Sequence, residues 1–332
     1  MVSSPESSNL AVMLAGIPLR NPVMLAAGCC GTLDEFQASG VLDLSRVGGL
    51  VSKSITPLMR EGNPTHRILD AGERVSGMIN AIGLANPGVE AFVREYLPRA
   101  GAMRTAVVCS VAGFSIDDYV HAAGRIAQAN GPGGEGHGAV RAIELNVSCP
   151  NVKTGVEFGF AAGLLRELVG AVRAAVGALP LWVKLSPVTP EIVDVARAAV
   201  EAGASALTVG NTIPAMSIDV RTRRARLANV TGGLSGPAVH LVAVRLVHLL
   251  HTKLCRDYHG AGKHLPIVGV GGVSHWEDAA EFILAGASAV QVGTALYADP
   301  RSPLRVVKGL EKWVRAQGAG NVGELVGAVR VG

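Results

Sequence analysis

A single thiol lies between carboxamide side chains in the segment Glu-Leu-Asn-Val-Ser-Cys-Pro-Asn, residues 144–151. Cys149 follows Asn146 and precedes Asn151, and carboxamides can both donate and accept hydrogen bonds from a polar heterocycle without adding charge. No histidine adjoins the thiol, so the segment favours a cysteine that transfers a proton over the nucleophile of a cysteine hydrolase. The alternative is a buried cysteine that only packs, as many free cysteines do. The neighbouring polar side chains argue against that alternative.

Two lysines end apolar segments of the chain, Lys53 after Gly49–Ser52 and Lys184 within Leu181–Leu185. A buried ammonium group is costly unless it meets an anion or a polarised carbonyl group. The alternative is a lysine whose ammonium group reaches solvent at the rim of the fold. Because two lysines occur near the ends of apolar segments, binding of a ligand is favoured over the solvent-exposed alternative.

Glycine-rich loops follow two other apolar segments, as Gly271-Gly272 and as Gly293-Thr294, and a third occurs at Gly232–Gly236. Glycine lets backbone N–H groups approach a phosphate group closely at the start of a helix. A single glycine pair is weak evidence, because glycine also serves ordinary turns. Whether these loops bind phosphate or form ordinary turns therefore depends on their position in the fold.

Eight short apolar segments alternate with helix-length segments, and this alternation predicts parallel strands. The predicted strands are Val23–Ala27, Gly49–Ser52, Ala106–Val111, Ala142–Val147, Leu181–Leu185, Ala206–Val209, Ile267–Val270 and Ala289–Val292. The clearest predicted helices are Ala162–Val176, Pro190–Ala202, Pro237–Leu254 and His275–Ala285. Eight repeats favour a closed (β/α)₈ TIM barrel over an open doubly wound sheet, for which an early GxGxxG turn is expected and not found. A hairpin over residues 11–19 is expected at the bottom of the barrel, and one domain spans residues 1–332.

In a (β/α)₈ barrel the functional groups lie at the C-terminal ends of the strands, and phosphate groups bind most often after strands seven and eight. The two glycine loops follow those strands. The residues therefore suit flavin mononucleotide (FMN), with the phosphate on the glycine loops and a lysine near the ring.

Composition excludes several other classes of function. The net charge of +4 is dispersed, which gives little support to nucleic-acid binding. The five cysteines form no CxxC pair, so no zinc or iron–sulfur site is expected in this chain. No run of about 18 apolar residues occurs, which predicts a soluble, cytoplasmic protein without a membrane segment. The histidines at 248, 251, 259 and 264 suit a solvated surface better than a metal site.

The chain closely resembles class 1 dihydroorotate dehydrogenases, and most of all the class 1B catalytic subunit. The resemblance covers nearly all of residues 10–328. The segments that carry it are residues 21–26, 53–56, 60–64, 80–84, 146–152, 183–187, 211–212, 232–237, 271–273 and 290–295. It implies an FMN-dependent oxidation of dihydroorotate to orotate in pyrimidine biosynthesis.

The resemblance also implies roles for individual residues. Cys149 would be the base that removes the C5 proton while the C6 hydride passes to the flavin. The substrate would be bound by Lys53, Asn80, Ala81, Ile82, Gly83, Leu84, Asn146, Asn151, Asn211 and Thr212. The FMN would be bound by Ala27, Lys53, Ser54, Ser110, Asn146, Lys184, Gly210, Gly236, Gly271, Gly272, Gly293 and Thr294. Ala27 and Ser110 depart from the family pattern of serine and asparagine, so Ala27 would contact the flavin through its backbone and Ser110 through a water molecule.

Asn80-Ala81-Ile82-Gly83-Leu84 favours class 1B over the fumarate-linked class 1A, which typically has Asn-Ser-Met-Gly-Leu. Class 1B implies a homodimeric core within a heterotetramer, whose second subunit carries FAD and an iron–sulfur cluster and passes electrons to NAD. A dihydropyrimidine dehydrogenase-like pyrimidine reductase is a second enzyme hypothesis. A non-catalytic flavin-binding protein is disfavoured, because Cys149, Lys53 and the asparagines occur together. The basic segment Arg221–Arg226 is expected to form a solvated hairpin, with attraction of an anionic ligand or docking of the partner subunit as alternatives.

Overall fold

Eight parallel strands close into a barrel in the computed structural model, which describes residues 9–72, 75–147, 158–255 and 265–330. In chain order the barrel strands are Val23–Leu25, Gly49–Val51, Ala106–Val111, Val140–Asn146, Leu181–Leu185, Ala206–Val209, Ile267–Val270 and Ala289–Val292. Each strand pairs with the next along the chain, and the eighth pairs with the first through Val292 and Leu25. The predicted (β/α)₈ barrel is confirmed.

The barrel strands are apolar on both faces because both faces are covered, as expected for a parallel sheet. In the fifth strand, Leu181, Val183 and Leu185 point outward into the main core, whereas Trp182 points into the barrel. Because both faces of each strand are buried, successive residues of the strand are apolar, and the sequence shows continuous apolar segments.

Helices surround the barrel. The α-helices are Glu35–Ala38, Val89–Ala91, Leu97–Ala100, Ile116–Asn130, Ala162–Val176, Ile192–Glu201, His240–Leu250, Trp276–Ala285, Ala295–Ala298 and Ser302–Ala316. Phe92–Tyr96 and His251–Cys255 are π-helical, and Leu44–Arg46, Phe158–Phe160, Pro237–Val239 and Val322–Leu325 are 3₁₀-helical. Helix Ile116–Asn130 begins at a side-chain cap, since the Ser115 hydroxyl accepts a hydrogen bond from the N–H of Asp118.

The N-terminal hairpin closes the bottom of the barrel, as the sequence predicted. Val12–Leu14 pairs antiparallel with Ile17–Leu19. Leu14, Ile17 and Leu19 are buried against inward-facing side chains of the barrel strands. Among the described residues, the hairpin therefore closes the end of the barrel opposite the C-terminal strand ends.

A four-stranded antiparallel sheet lies beside that C-terminal end and was not predicted. Its order is Ile213–Met216, Thr231–Ser235, Met78–Asn80 and Ile68–Asp70. A short hairpin, Ile218–Asp219 with Arg224–Ala225, carries the basic segment. The arginines at 221, 223 and 224 are exposed there, as expected for a solvated hairpin.

One helical stretch, Pro237–Cys255, is long and apolar enough to cross a membrane by length and composition alone. It packs against the seventh barrel strand and helix Trp276–Ala285, so it is an outer helix of the barrel. The polar insertion at residues 253–264 that follows it lies largely outside the described residues. Among the residues that are described, no group of three or more histidine, cysteine or acidic side chains could hold a metal ion.

Candidate active site

A cavity of about 1100 Å³, including its open mouth, occupies the C-terminal end of the barrel. It collects residues from seven of the eight strand ends or the loops that follow them, and the third strand, Ala106–Val111, contributes none. The predicted site residues on its wall are Ala27, Lys53, Ser54, Asn80, Ile82, Gly83, Leu84, Asn146, Lys184, Asn211, Thr212, Gly236, Gly271, Gly272, Gly293 and Thr294.

Five predicted site residues are not seen on this wall. Ala81 is fully buried, and Ser110 is buried behind Ser54. Gly210 lies against the seventh strand, where an added Cβ would come within 2.0 Å of the Val270 carbonyl oxygen. Cys149 and Asn151 lie outside the described residues, so their predicted roles stay predictions.

The glycine loops form a cradle that side chains would fill. Gly236, Gly271 and Gly272 have φ angles of +90°, +139° and +71°, which glycine adopts without strain. A Cβ at Gly272 would lie 2.8 Å from the Gly236 carbonyl oxygen. Thr294 completes this wall and donates a hydrogen bond to the Ser235 hydroxyl at 2.8 Å. Backbone groups are therefore within reach of a ligand on this side of the cavity.

A chain of hydrogen bonds fixes the carboxamides on the opposite side. The Ser54 and Ser110 hydroxyls lie 2.9 Å apart, and the Asn146 amide donates to Ser54 at 3.2 Å. Asn211 donates to Asn146 at 3.4 Å and accepts a hydrogen bond from the N–H of Thr212 at 2.8 Å. Ser110 is thus linked to the cavity wall through the Ser54 hydroxyl.

The loop from Asn80 to Leu84 is held in a strained conformation by two other asparagines. Leu84 has a φ angle of +58°, which is unfavourable for a residue with a branched side chain. The Asn86 amide donates to the Leu84 carbonyl at 2.7 Å, and the Asn63 amide donates to the Ala81 carbonyl at 2.8 Å. Hydrogen bonds from within the protein therefore fix the shape of this loop.

The two predicted lysines both reach the cavity. Lys184 is only 6% exposed, and its ammonium group forms no hydrogen bond or ion pair with any residue in the described ranges. Gly28 leaves room for the other lysine, since a Cβ there would lie 3.4 Å from Nζ of Lys53. A buried ammonium group without a partner calls for an anionic or strongly polar ligand.

Sequence reasoning missed several wall residues, among them Cys29, Ser235 and Tyr297. Cys29 packs against the core and also lines the cavity. The Tyr297 hydroxyl donates to the Gly28 carbonyl at 3.3 Å. Tyr297 lies three residues after Thr294, and this spacing was the available signal.

A buried polar layer lies between the hairpin and the cavity. Glu144 is fully buried, and its Oε2 accepts hydrogen bonds from the Thr208 hydroxyl at 2.7 Å and the Gln291 amide at 3.0 Å. All three side chains come from barrel strands. They tie together the fourth, sixth and eighth strands just below the site.

We expect the described cysteines to react slowly with thiol reagents in the folded protein. Burial raises the pKa of Cys30, Cys109 and Cys255 to about 12. Burial also raises the pKa of Cys29, although the positive charges of Lys184 and Lys53 oppose the rise. Each thiol therefore stays neutral at pH 8, and the thiolate is the reactive form. Mass-spectrometric mapping after brief alkylation at pH 8 should find these four unmodified until urea is added; rapid labelling of Cys30, Cys109 or Cys255 in the folded protein would contradict the assignment.

The fold and the cavity define a (β/α)₈-barrel enzyme class in which one site at the C-terminal strand ends combines a glycine cradle, a buried lysine and a cluster of carboxamides. The sequence profile of the family described as dihydroorotate dehydrogenase matches residues 9–314 of this chain. The chain belongs to the dihydroorotate dehydrogenase family, which confirms the resemblance inferred from the motifs, and it is an oxidoreductase.

Curated relatives narrow the similarity to one branch of the family. The chain is 40% identical over 325 residues to the dihydroorotate dehydrogenase B (NAD(+)) catalytic subunit of Bacteroides thetaiotaomicron, covering 98% of this chain and 100% of the relative. It is 44% identical over 319 residues to the protein of the same name from Desulforudis audaxviator, with 96% of each chain covered. The Listeria monocytogenes protein of that name is 41% identical over 319 residues, covering 96% of this chain and 97% of the relative. These names favour class 1B over the fumarate-linked and pyrimidine-reducing alternatives.

Proposed function

We propose that this chain is the catalytic subunit of an NAD-linked dihydroorotate dehydrogenase and oxidises dihydroorotate to orotate with a bound FMN. The observation that carries the proposal is the buried ammonium group of Lys184, which has no partner among the described residues and faces a cavity with a glycine cradle. The reaction is inferred from the family to which the chain belongs. The cavity provides groups suited to each part of FMN and of dihydroorotate.

The residues present fit FMN. Gly236, Gly271 and Gly272 leave open the space that a phosphate group needs beside backbone N–H groups. The ammonium group of Lys184 suits a ring that gains negative charge, and its burial strengthens that interaction. Bound FMN would supply an acceptor for the hydride that leaves C6 of the substrate.

The carboxamides fit the substrate. Asn80, Asn146 and Asn211 can donate to the carbonyl groups and accept from the ring N–H groups of a dihydropyrimidine. Lys53 adds a positive charge for the substrate carboxylate. Asn151 would join this set, and the Cys149 thiolate would take the C5 proton, so that the C–H electrons form the ring double bond as the hydride leaves C6.

Electron transfer to NAD requires a partner in this proposal. The chain contains no cysteine cluster for iron–sulfur binding. Its two GxGxxG matches, Gly131–Gly136 and Gly318–Gly323, each follow a helix, whereas a dinucleotide-binding motif joins a strand to a helix. The partner subunit would therefore carry FAD and an iron–sulfur cluster, in a heterotetramer built around a homodimer of this chain. We further propose that the chain is one domain and acts in the cytoplasm.

The purified chain should be yellow and contain one FMN per barrel. Its absorption spectrum and the flavin released on denaturation measure this directly. Lys184→Met keeps the length of the side chain but removes the charge, and it should weaken FMN binding without unfolding the barrel. Met13→Leu, at an exposed position on the N-terminal hairpin, serves as a control and should not change FMN binding. A colourless protein that takes up no added FMN would contradict the proposed function.

A further inference from the structure

The loop after the seventh barrel strand is held from outside the cavity by one histidine. His240 begins helix His240–Leu250, and only 7% of its surface is exposed. Its Nδ1 lies 3.1 Å from the carbonyl oxygen of Gly271, and its Nε2 lies 2.7 Å from Oε2 of Glu281. Phe282 packs edge-on against the imidazole, with 5.2 Å between the ring centroids. The imidazole is therefore fixed on three sides.

The identity of these partners decides which ring nitrogen donates. A backbone carbonyl can only accept, so Nδ1 of His240 must carry a proton and donate it to Gly271. On the other side of the ring, the Glu281 carboxylate contacts Nε2 at 2.7 Å. Glu281 thus holds the ring in the orientation that directs Nδ1 at the loop.

The hydrogen bond to Gly271 also sets the direction of the next N–H group. The C=O and N–H of one trans peptide point in opposite directions. His240 approaches the Gly271 carbonyl from the helix side, whereas Gly271 and Gly272 both line the cavity. The N–H of Gly272 is accordingly aimed toward the cavity. A Cβ at Gly272 would lie 2.7 Å from the Cβ of His240, so the histidine and the glycine pack as a unit.

We propose that His240 is a positioning residue for the phosphate group of the flavin nucleotide. Its hydrogen bond to the Gly271 carbonyl holds the Gly272 N–H toward the phosphate, and Glu281 keeps the imidazole in place. This inference rests on the proposed binding of FMN. His240 does not line the cavity, so its effect is expected only on the binding of the phosphate group, through the loop at Gly271 and Gly272.

The test compares FMN with riboflavin, which has the same ring and no phosphate group. Flavin-depleted, full-length protein is titrated with each ligand, and quenching of flavin fluorescence reports the Kd. His240→Phe keeps a ring beside Phe282 but removes the donor. It should raise the Kd for FMN by roughly 10- to 100-fold, the scale of one hydrogen bond to a charged group. The Kd for riboflavin should stay the same.

Matched variants separate positioning from a structural defect. His248→Phe makes the same change two turns along the helix and should alter neither Kd. Glu281→Gln should retain FMN affinity, because the amide can donate to Nε2 while Nδ1 keeps its proton. Should His240→Phe melt early, Glu281→Ala removes an exposed partner instead and should weaken FMN binding alone.

Two results would overturn the inference: an unchanged Kd for FMN in His240→Phe, or equal weakening of FMN and riboflavin. Failure of the proposed function looks different. In that case the unaltered chain would bind neither flavin.

Discussion

Replacing Cys149 by alanine is expected to slow reduction of the bound flavin by dihydroorotate roughly 100-fold or more at neutral pH, the usual scale of a lost general base. The residue follows the fourth barrel strand by three positions, beyond the carboxamide of Asn146 that the structure places in the cavity. Serine at residue 149 should be similarly impaired, since a hydroxyl loses its proton far less readily than a thiol. Stopped-flow bleaching of the flavin absorbance measures the rate directly.

Binding and chemistry can be separated in the same experiment. Both Cys149 variants should still bind FMN, because the proposed cofactor contacts come from other residues. Cys255→Ala, a buried thiol beyond the far end of helix His240–Leu250, provides the matched control and should bleach at the normal rate. The unaltered enzyme should speed up toward alkaline pH, because thiols ordinarily titrate near about pH 8.5, and the alanine variant should lose that dependence. Near-normal bleaching in both variants would show that the proton leaves by another route.

The largest expected effect concerns the electron acceptor. The isolated chain should be reduced by dihydroorotate in a single turnover yet produce almost no NADH. The proposed site binds one flavin, and neither GxGxxG match of the chain joins a strand to a helix, so we expect no second cofactor in this chain to relay electrons to NAD. Steady-state NADH formation, with and without a co-purified FAD- and iron–sulfur-containing subunit, measures the difference.

Two controls make the acceptor experiment decisive. An artificial one- or two-electron dye should restore turnover of the isolated chain, which shows that the reductive half-reaction is intact. Fumarate should not restore it. Full NADH production by the chain alone, or rapid turnover with fumarate, would falsify the class 1B proposal while leaving the fold and the flavin site untouched.

The barrel could be predicted because its strands and helices leave local signals in the sequence. Leu181–Leu185 and Ile267–Val270 were predicted with the bounds that the structure has, since a strand buried on both faces is apolar throughout. The hairpin at residues 11–19 was predicted from its short apolar runs. The type of helix was not predictable: the segment predicted as Pro237–Leu254 changes from 3₁₀- to α- to π-helix along its length.

The antiparallel sheet beside the site could not be predicted in this way. Met78–Asn80 pairs with Gly233–Ser235, about 155 residues later in the chain, and neither short segment has a periodic pattern of its own. Its register depends on how the loops from two strand ends meet once the barrel has closed. The same holds for Asn63 and Asn86, whose hydrogen bonds shape the loop at Leu84 from outside the predicted site.

The sequence by itself determined the order of the barrel strands, the type of residue at each strand end and the family, because all three depend on residues close together in the chain. Only the tertiary structure decided which of those residues line the same cavity. Ser110 contacts the cavity through Ser54, Glu144 joins Thr208 and Gln291 beneath it, and His240 reaches Gly271 from behind. These contacts join segments 31 to 147 residues apart. Barrel closure and strand register bring such segments together, and neither leaves a local signal in the sequence.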